Sequence, residues 1–324
     1  MALKIPFKSD SFSDEMKPKF SGGNLTLEFE NLESTLIKVG VEVSTLIGQA
    51  LYDKICDGTA VTSHEAVAGP PIVIAITTEQ ADGLNASAKD YLQRAMLHFT
   101  LYQNIIYLIA KIGNDGITVK KNNDETTIFK YQEVKLSNKL ICDAWFWMNN
   151  LIKFLNGNAD SFTDWKDSDQ RKQYNSIPVK VADFAKFVGV SDEYFFMSAM
   201  WLIREVWTEC VQSRVKEPDK TDKLSRAVCY EVMARACLRL PYYSLPESVR
   251  LDINTEMSKD HAAQSDLNIK EKISAQFQTR ADGYWSSFDN ELVAAQAKTP
   301  VLNVSSEVYK SKAASKDDKF GLVS

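Results

Sequence analysis

The segment from Ser87 to Ile112 constrains this chain more than any other. Leu92, Ala95, Met96, Phe99, Tyr102, Ile106 and Ile109 recur at three-and-four spacing, which sets them on one face of a long helix. Gly113 follows where a helix can end on a left-handed residue. A helix with such a stripe needs other helices packed along it, because an isolated helix is marginal in water. The chain supplies them. Leu32, Leu36 and Ile37 precede Gly40, and Val43, Leu46, Ile47, Ala50 and Leu51 continue to Cys56, which reads as two helices broken at Gly40. Val134, Leu140, Ile141, Ala144, Trp145, Met148, Leu151, Ile152 and Leu155 form a third stripe that ends at Gly157.

The connections are as informative as the helices. Residues 1–30 read as an extended arm interrupted by Pro6, Pro18 and Gly22-Gly23. Residues 58–84 make a long connection holding Pro70-Pro71 and the apolar run Ile72 to Ile76, and a connection of that length usually has a role. Gly116 to Lys120 and Thr126 to Lys130 alternate around Asn122-Asn123-Asp124, the composition of a polar-tipped hairpin. Residues 157–178 are dense in Asp, Ser, Asn, Gln and Lys and read as an interdomain linker.

Beyond the linker the order repeats. A short helix from Ala182 to Phe187 stops near Gly189, and Ser191 is placed to cap a helix bearing Phe196, Met200, Ile203, Val206, Trp207 and Cys210. A helix from Leu224 to Leu240 follows, then an alternating segment at Val249, Leu251 and Ile253, then a helix carrying Ile273, Phe277, Tyr284, Trp285, Phe288 and Leu292 before Pro300. Val39-Gly40-Val41 matches Val188-Gly189-Val190, Leu92 matches Leu224 and Trp145 matches Trp285 in the same order, which reads as an internal duplication. The expected fold is mainly α: two tandem helical units, each with a small β-hairpin or extended segment, plus extended terminal arms. Its divisions are an N-terminal arm (1–30), a helical domain (31–156), a linker (157–178), a second helical domain (179–300) and a C-terminal arm (301–324).

Catalytic chemistry is hard to assemble from this sequence. Its three histidines, His64, His98 and His261, show no His-x-x-x-His or zinc spacing, and no phosphate-binding glycine loop or Gly-x-Ser-x-Gly elbow occurs. No catalytic, cofactor-binding or metal-ligating residue is expected. Cys56, Cys142, Cys210, Cys229 and Cys237 lack Cys-x-x-Cys spacing and read as reduced core thiols. The net charge of −5 offers no general attraction to nucleic acid or anionic lipid, and no apolar stretch suits a membrane span or a secretory signal. The chain is expected to be soluble and unexported. The aromatic stripe at Trp145, Phe146 and Trp147, and Trp201 with Trp207, read as core or subunit interface.

The long helix ending in Asn114-Asp115-Gly116-Ile117-Thr118-Val119, the polar hairpin and the helix from Tyr131 to Leu155 resemble the helical head-tail connector proteins of tailed bacteriophages. The segment from Tyr91-Leu92-Gln93-Arg94-Ala95 through Gly116 is similar to uncharacterised virion proteins of phages infecting Bacteroidetes, including crAss-like phages. The resemblance covers residues 31–156 well and 179–297 more weakly. Simple connectors have one such helical unit where this chain has two. The resemblance implies a structural subunit without enzymatic activity, made in the host cytoplasm and placed at the head–tail junction of the virion. Its partners would be further copies of itself in a ring of twelve, the portal protein and neighbouring tail or ring proteins. DNA would pass through the lumen without specific binding.

Two rival readings remain open: a non-viral cytoplasmic helical scaffold, and a hydrolase acting through carboxylates. The residues expected to contact partners are Ile117, Val119, Ile128 and Phe129 in the hairpin, and Tyr309 and Phe320 in the C-terminal arm. The hairpin is apolar apart from its tip and is marginal by itself in water. The terminal arms carry spaced apolar anchors that cannot form a core alone, Phe7, Phe12 and Phe20 at one end and Val301, Leu302, Val304, Tyr309 and Phe320 at the other. Both arms are expected to order on a partner.

Overall fold

A computed structural model describes residues 3–19, 28–65, 75–105, 110–113, 116–119, 130–216, 218–259 and 266–298. Among them the chain is mainly α, with twelve α-helices and one two-stranded sheet. The helices are α1 (Phe12–Met16), α2 (Phe29–Ile47), α3 (Gln49–Asp57), α4 (Thr78–Gln103), α5 (Lys130–Gly157), α6 (Thr163–Lys166), α7 (Asp169–Ser176), α8 (Val181–Val188), α9 (Glu193–Val206), α10 (Asp222–Arg239), α11 (Glu247–Lys259) and α12 (Asp266–Lys298). None of the described helices is long and apolar enough to cross a membrane.

Two helices organise the packing. Every residue of α4 from Ala95 to Leu101 is buried, and α10 is buried around nearly its whole circumference between Leu224 and Cys237. A helix apolar on one face sits at a surface; one enclosed on all sides lies at a centre. The long helix α5 runs along α4 and α12 runs along α10, and these are the two most extensive helix pairs. Enclosure on all sides forces polar groups inward, where they must find partners. Gln93 of α4 donates to the Pro6 carbonyl at 2.7 Å, and Glu231 of α10 accepts from Arg235 at 3.0 Å and from Gln278 at 2.9 Å. Leu92 and Leu224 are both fully buried, and Trp145 and Trp285 are both buried on the long partner helices. One contiguous apolar cluster joins the two halves, with the Phe99 and Tyr194 rings 5.4 Å apart across the seam.

Several expectations require correction. Gly40 does not break a helix: α2 runs through it, and the chain turns instead at Gly48, whose φ is +92°. Gly40 is needed for space, since a Cβ there would lie 2.6 Å from Leu3 Cδ2 and 2.7 Å from the Tyr52 hydroxyl. Its sequence counterpart Gly189 has a different task, ending α8 in the left-handed conformation. α4 begins at Thr78, behind a capping box in which Thr77 accepts from the Gln80 N–H and Gln80 returns the bond, and it ends at Gln103 rather than Ile112. Part of the expected connection 58–84 is therefore helix, and Ile76 makes an isolated antiparallel bridge with His64.

The hairpin also differs. Gly116–Val119 (β2) is a strand as expected, but it pairs backwards with Ala110–Gly113 (β1), with Ile117 opposite Ile112 and Val119 opposite Ala110. In the sequence only Asn114 and Asp115 lie between these two strands, whereas the expected hairpin had its tip at Asn122-Asn123-Asp124. Residues 120–129 lie outside the described residues. The alternation at Val249, Leu251 and Ile253 belongs to helix α11: Val249 and Ile253 are buried four residues apart while Leu251 is exposed.

The polar segment 157–178 is not an open connection. It folds into α6 and α7, and Phe162 and Trp165 are fully buried. Burying an aromatic side chain of this kind contributes about 2–3 kcal/mol, which a few large residues supply despite polar neighbours. The described part of the N-terminal arm packs on its own chain rather than waiting for a partner. Phe7, Phe12 and Met16 are buried, the Phe7, Phe12 and Phe29 rings form an edge-on series, and Lys19 pairs with Asp90 at 2.6 Å. Phe20 and the C-terminal arm lie outside the described residues.

Candidate interaction surface

An open depression with walls from both halves lies between α2, α7, α9 and the turn Tyr242–Ser244 that follows α10. It encloses about 600 Å³ and is walled by Val41, Leu46, Met197, Met200, Trp201 and Leu240. Trp201 is 44% exposed and Val41 50% exposed, so each keeps much of its apolar surface in water. An exposed side chain of this kind is unremarkable alone; two that border one apolar groove make a patch that marks contact surfaces. The methionines add adaptable walls. Arg239 lies 4.4 Å above the Trp201 ring and pairs with Glu205, so the indole face is partly occupied from one side.

Helix geometry explains why this surface is left open. On α2 the buried face is Leu32, Leu36, Val39, Val43 and Ile47, and Val41 falls two residues off it. On α9 exposed Trp201 stands between buried Met200 and Leu202, one residue from each. The groove floor carries polar groups as well. The Tyr243 hydroxyl donates to Glu42 Oε1 at 3.1 Å, and burial raises the Glu42 carboxyl above its ordinary pKa while that hydrogen bond and Lys38 pull it back. Burial and the neighbouring Glu42 push the Tyr243 phenol up to about 12. Gln170, Gln173, Thr45 and Ser198 line the groove with further donors and acceptors.

A second cavity, about 360 Å³, lies between α5, the start of α9 and α11. Arg250 is buried there. Its guanidinium donates to the Leu245 carbonyl at 2.6 Å and lies 4.8 Å from the centre of the Trp145 ring, while Trp145 donates to the Tyr243 carbonyl at 2.7 Å. Asn149 of α5 donates to Asp192 at 2.8 Å and accepts from the Tyr194 N–H at 2.8 Å. The first turn of α9 is thus capped by a residue from another helix, not by the expected Ser191. Burial raises Asp192 above its ordinary pKa, with Asn149 and Arg250 opposing. These groups are committed to one another and to backbone, which makes the cavity a joint between the halves.

Among the described residues, no three His, Cys, Asp or Glu side chains are grouped to hold a metal ion. Cys56, Cys229 and Cys237 are buried with their thiols raised well above the usual value by burial, so a reactive thiolate is suppressed at all three. His98 is buried, with its Nδ1 2.7 Å from the Arg94 carbonyl; His64 is exposed.

Of the residues expected to contact partners, Ile117 and Val119 lie in β2. Ile128, Phe129, Tyr309 and Phe320 lie outside the described residues. Sequence reading missed Val41, Glu42 and Tyr243. Its available signal was a large apolar residue off the buried face of a strongly periodic helix, as at Val41. No curated protein and no solved structure matches the chain. Residues 43–175, from the last turn of α2 through α7, match the model described as "Family of unknown function (DUF6712)".

Proposed function

We propose that this chain is a structural subunit of a ring in the head–tail connector of a tailed bacteriophage. It would act without catalysis, stacked between portal and tail proteins at the head–tail junction of the virion, with DNA passing through the lumen. The observation that carries the reading is the open apolar groove spanning both halves. A monomer has no reason to keep Val41 and Trp201 wet beside Met197 and Met200, whereas a subunit that buries them against a neighbour does. The two extensive helix pairs α4–α5 and α10–α12, one in each half, are compatible with a doubled connector unit. The net charge of −5 is compatible with a channel along which DNA slides without sticking.

Mass photometry of the purified chain over a range of concentrations tests this, alone and with its portal and tail neighbours. The expected result is a discrete closed multiple of the 36.5 kDa chain that is lost in Trp201→Glu while the helical circular-dichroism signal is retained. A chain that stays monomeric in every mixture refutes the ring.

A further inference from the structure

We infer that the groove between α2 and α9 receives the apolar run Val301-Leu302-Asn303-Val304 of a second copy of this chain. The inference rests on the ring reading above and names the contact that builds it. The groove needs an occupant with several closely spaced apolar side chains and free backbone groups. Its walls are methionine, tryptophan, valine and leucine, while Thr45, Gln170, Gln173 and Ser198 offer hydrogen bonds to an extended backbone. In the sequence beyond Lys298, Val301, Leu302 and Val304 form the first such run, and Pro300 precludes a continued regular helix through it.

Chain length decides between a chain's own tail and a neighbour's. α12 runs antiparallel to α10, with Ser274 bonded to the Ala234 carbonyl, Gln278 to Glu231, and Glu291 facing Lys223 at 3.6 Å. The groove lies at the opposite end of α10, at Leu240. From the level of Lys223 to that of Leu240 is roughly 25 Å of helix at 1.5 Å per residue, and α12 continues from Glu291 to Lys298 for roughly another 10 Å in the wrong direction. The end of α12 is therefore roughly 35 Å from the groove. Val304 stands six residues past Lys298, and a fully extended chain of that length spans at most about 21 Å. The run falls short of its own groove by more than 10 Å. It can fill only the groove of another subunit. Such a contact is head-to-tail, and when the rotation between copies closes, it generates a ring.

Photocrosslinking in the full-length chain tests this directly. p-Benzoyl-phenylalanine replaces Leu302, and subunits labelled with ordinary and heavy nitrogen are co-assembled before irradiation. The expected products join one light chain to one heavy chain and map to peptides containing Val41 or Met197 to Trp201. Crosslinks confined to single chains, crosslinks to another surface, or no crosslinks overturn the inference. Mass photometry of a Val301→Asp, Leu302→Asp, Val304→Asp variant separates the two levels of the argument. Loss of assembly is expected. Assembly that persists overturns the tail contact while the ring stands, and an unmodified chain that never assembles removes both.

Discussion

Replacing Gly40 by Ala sets two opposed effects against each other, and the structure says which one the N-terminal arm feels. Ala is favoured over Gly inside a helix by about 1 kcal/mol, so α2 alone would gain. The new methyl, however, would sit 2.6 Å from Leu3 Cδ2 and 2.7 Å from the Tyr52 hydroxyl, where overpacking costs about 1–3 kcal/mol. Tyr52 is buried and cannot withdraw, while Leu3 and Lys4 lie near the start of the chain. The cheapest relief is to lift Leu3 and Lys4 away. That sacrifices the 2.9 Å hydrogen bond from the Tyr52 hydroxyl to the Lys4 carbonyl, about 1 kcal/mol, and the contacts of half-buried Leu3, about another 1 kcal/mol. It also opens the exposed Lys4–Asp57 pair. Those contacts set what opening costs, and the added strain, about 2 kcal/mol in the middle of the overpacking range, raises the closed arm and so its open population roughly 30-fold. Trypsin cleavage after Lys4, followed by intact mass, reads that population when opening is fast relative to cutting. The expected result is cleavage accelerated roughly 30-fold with a melting temperature unchanged or slightly raised, because Phe7, Phe12 and Met16 stay buried. An unchanged cleavage rate would show that the notch has room. A melting temperature lowered by several degrees with the arm still protected would place the strain in the core.

Three further outcomes follow from the joint between the halves and from buried His98. Arg250→Met removes the bond to the Leu245 carbonyl and the stacking on Trp145 and is expected to cost about 2–4 kcal/mol in denaturant unfolding; a loss below 1 kcal/mol would contradict the geometry. Asn149→Ala uncaps the Tyr194 N–H and is expected to cost about 1–2 kcal/mol, with Asn149→Asp destabilising most at neutral pH, where its carboxylate would face Asp192, and less as the pH falls; equal losses at all pH values refute the second part. Burial holds His98 below its ordinary pKa of 6.5, against the opposing Arg94 carbonyl and Asp143. The unfolded chain then takes up this proton first as pH drops below 6.5, so the group withdraws up to about 1.4 kcal/mol of stability per pH unit, and nothing above that pH. His98→Gln should flatten unfolding stability between pH 6.5 and 5.5 relative to the parent; identical slopes count against a buried neutral imidazole.

The sequence by itself determined which segments become helix wherever periodicity, caps and breakers agreed. α5, α8, α10 and α12 begin and end near Lys130, Gly157, Gly189, Pro241 and Pro300 because backbone stereochemistry and amphipathic spacing are local properties. The absence of zinc, phosphate-loop and nucleophile-elbow motifs was equally plain in the order of residues. What only the tertiary structure decided are matters of neighbours. Gly40 reads as a helix break from its propensity, yet Leu3 and Tyr52, 37 and 12 residues away in the chain, make it a packing notch. The α9 cap comes from Asn149 on another helix, so no local pattern announces it. Phe162 and Trp165 sit among polar residues that read as a linker, and they are buried because other helices lie over them. The alternation at Val249, Leu251 and Ile253 fits a strand and one face of a helix alike until the partner surface chooses between them. The groove is of the same kind. Val41 and Trp201 lie 160 residues apart, each off the buried face of its own helix, and only the docking of α2 beside α9 gives them a shared wall. Periodicity tells a helix which face to bury, but which exposed side chains end up beside one another depends on long-range packing that no local pattern encodes.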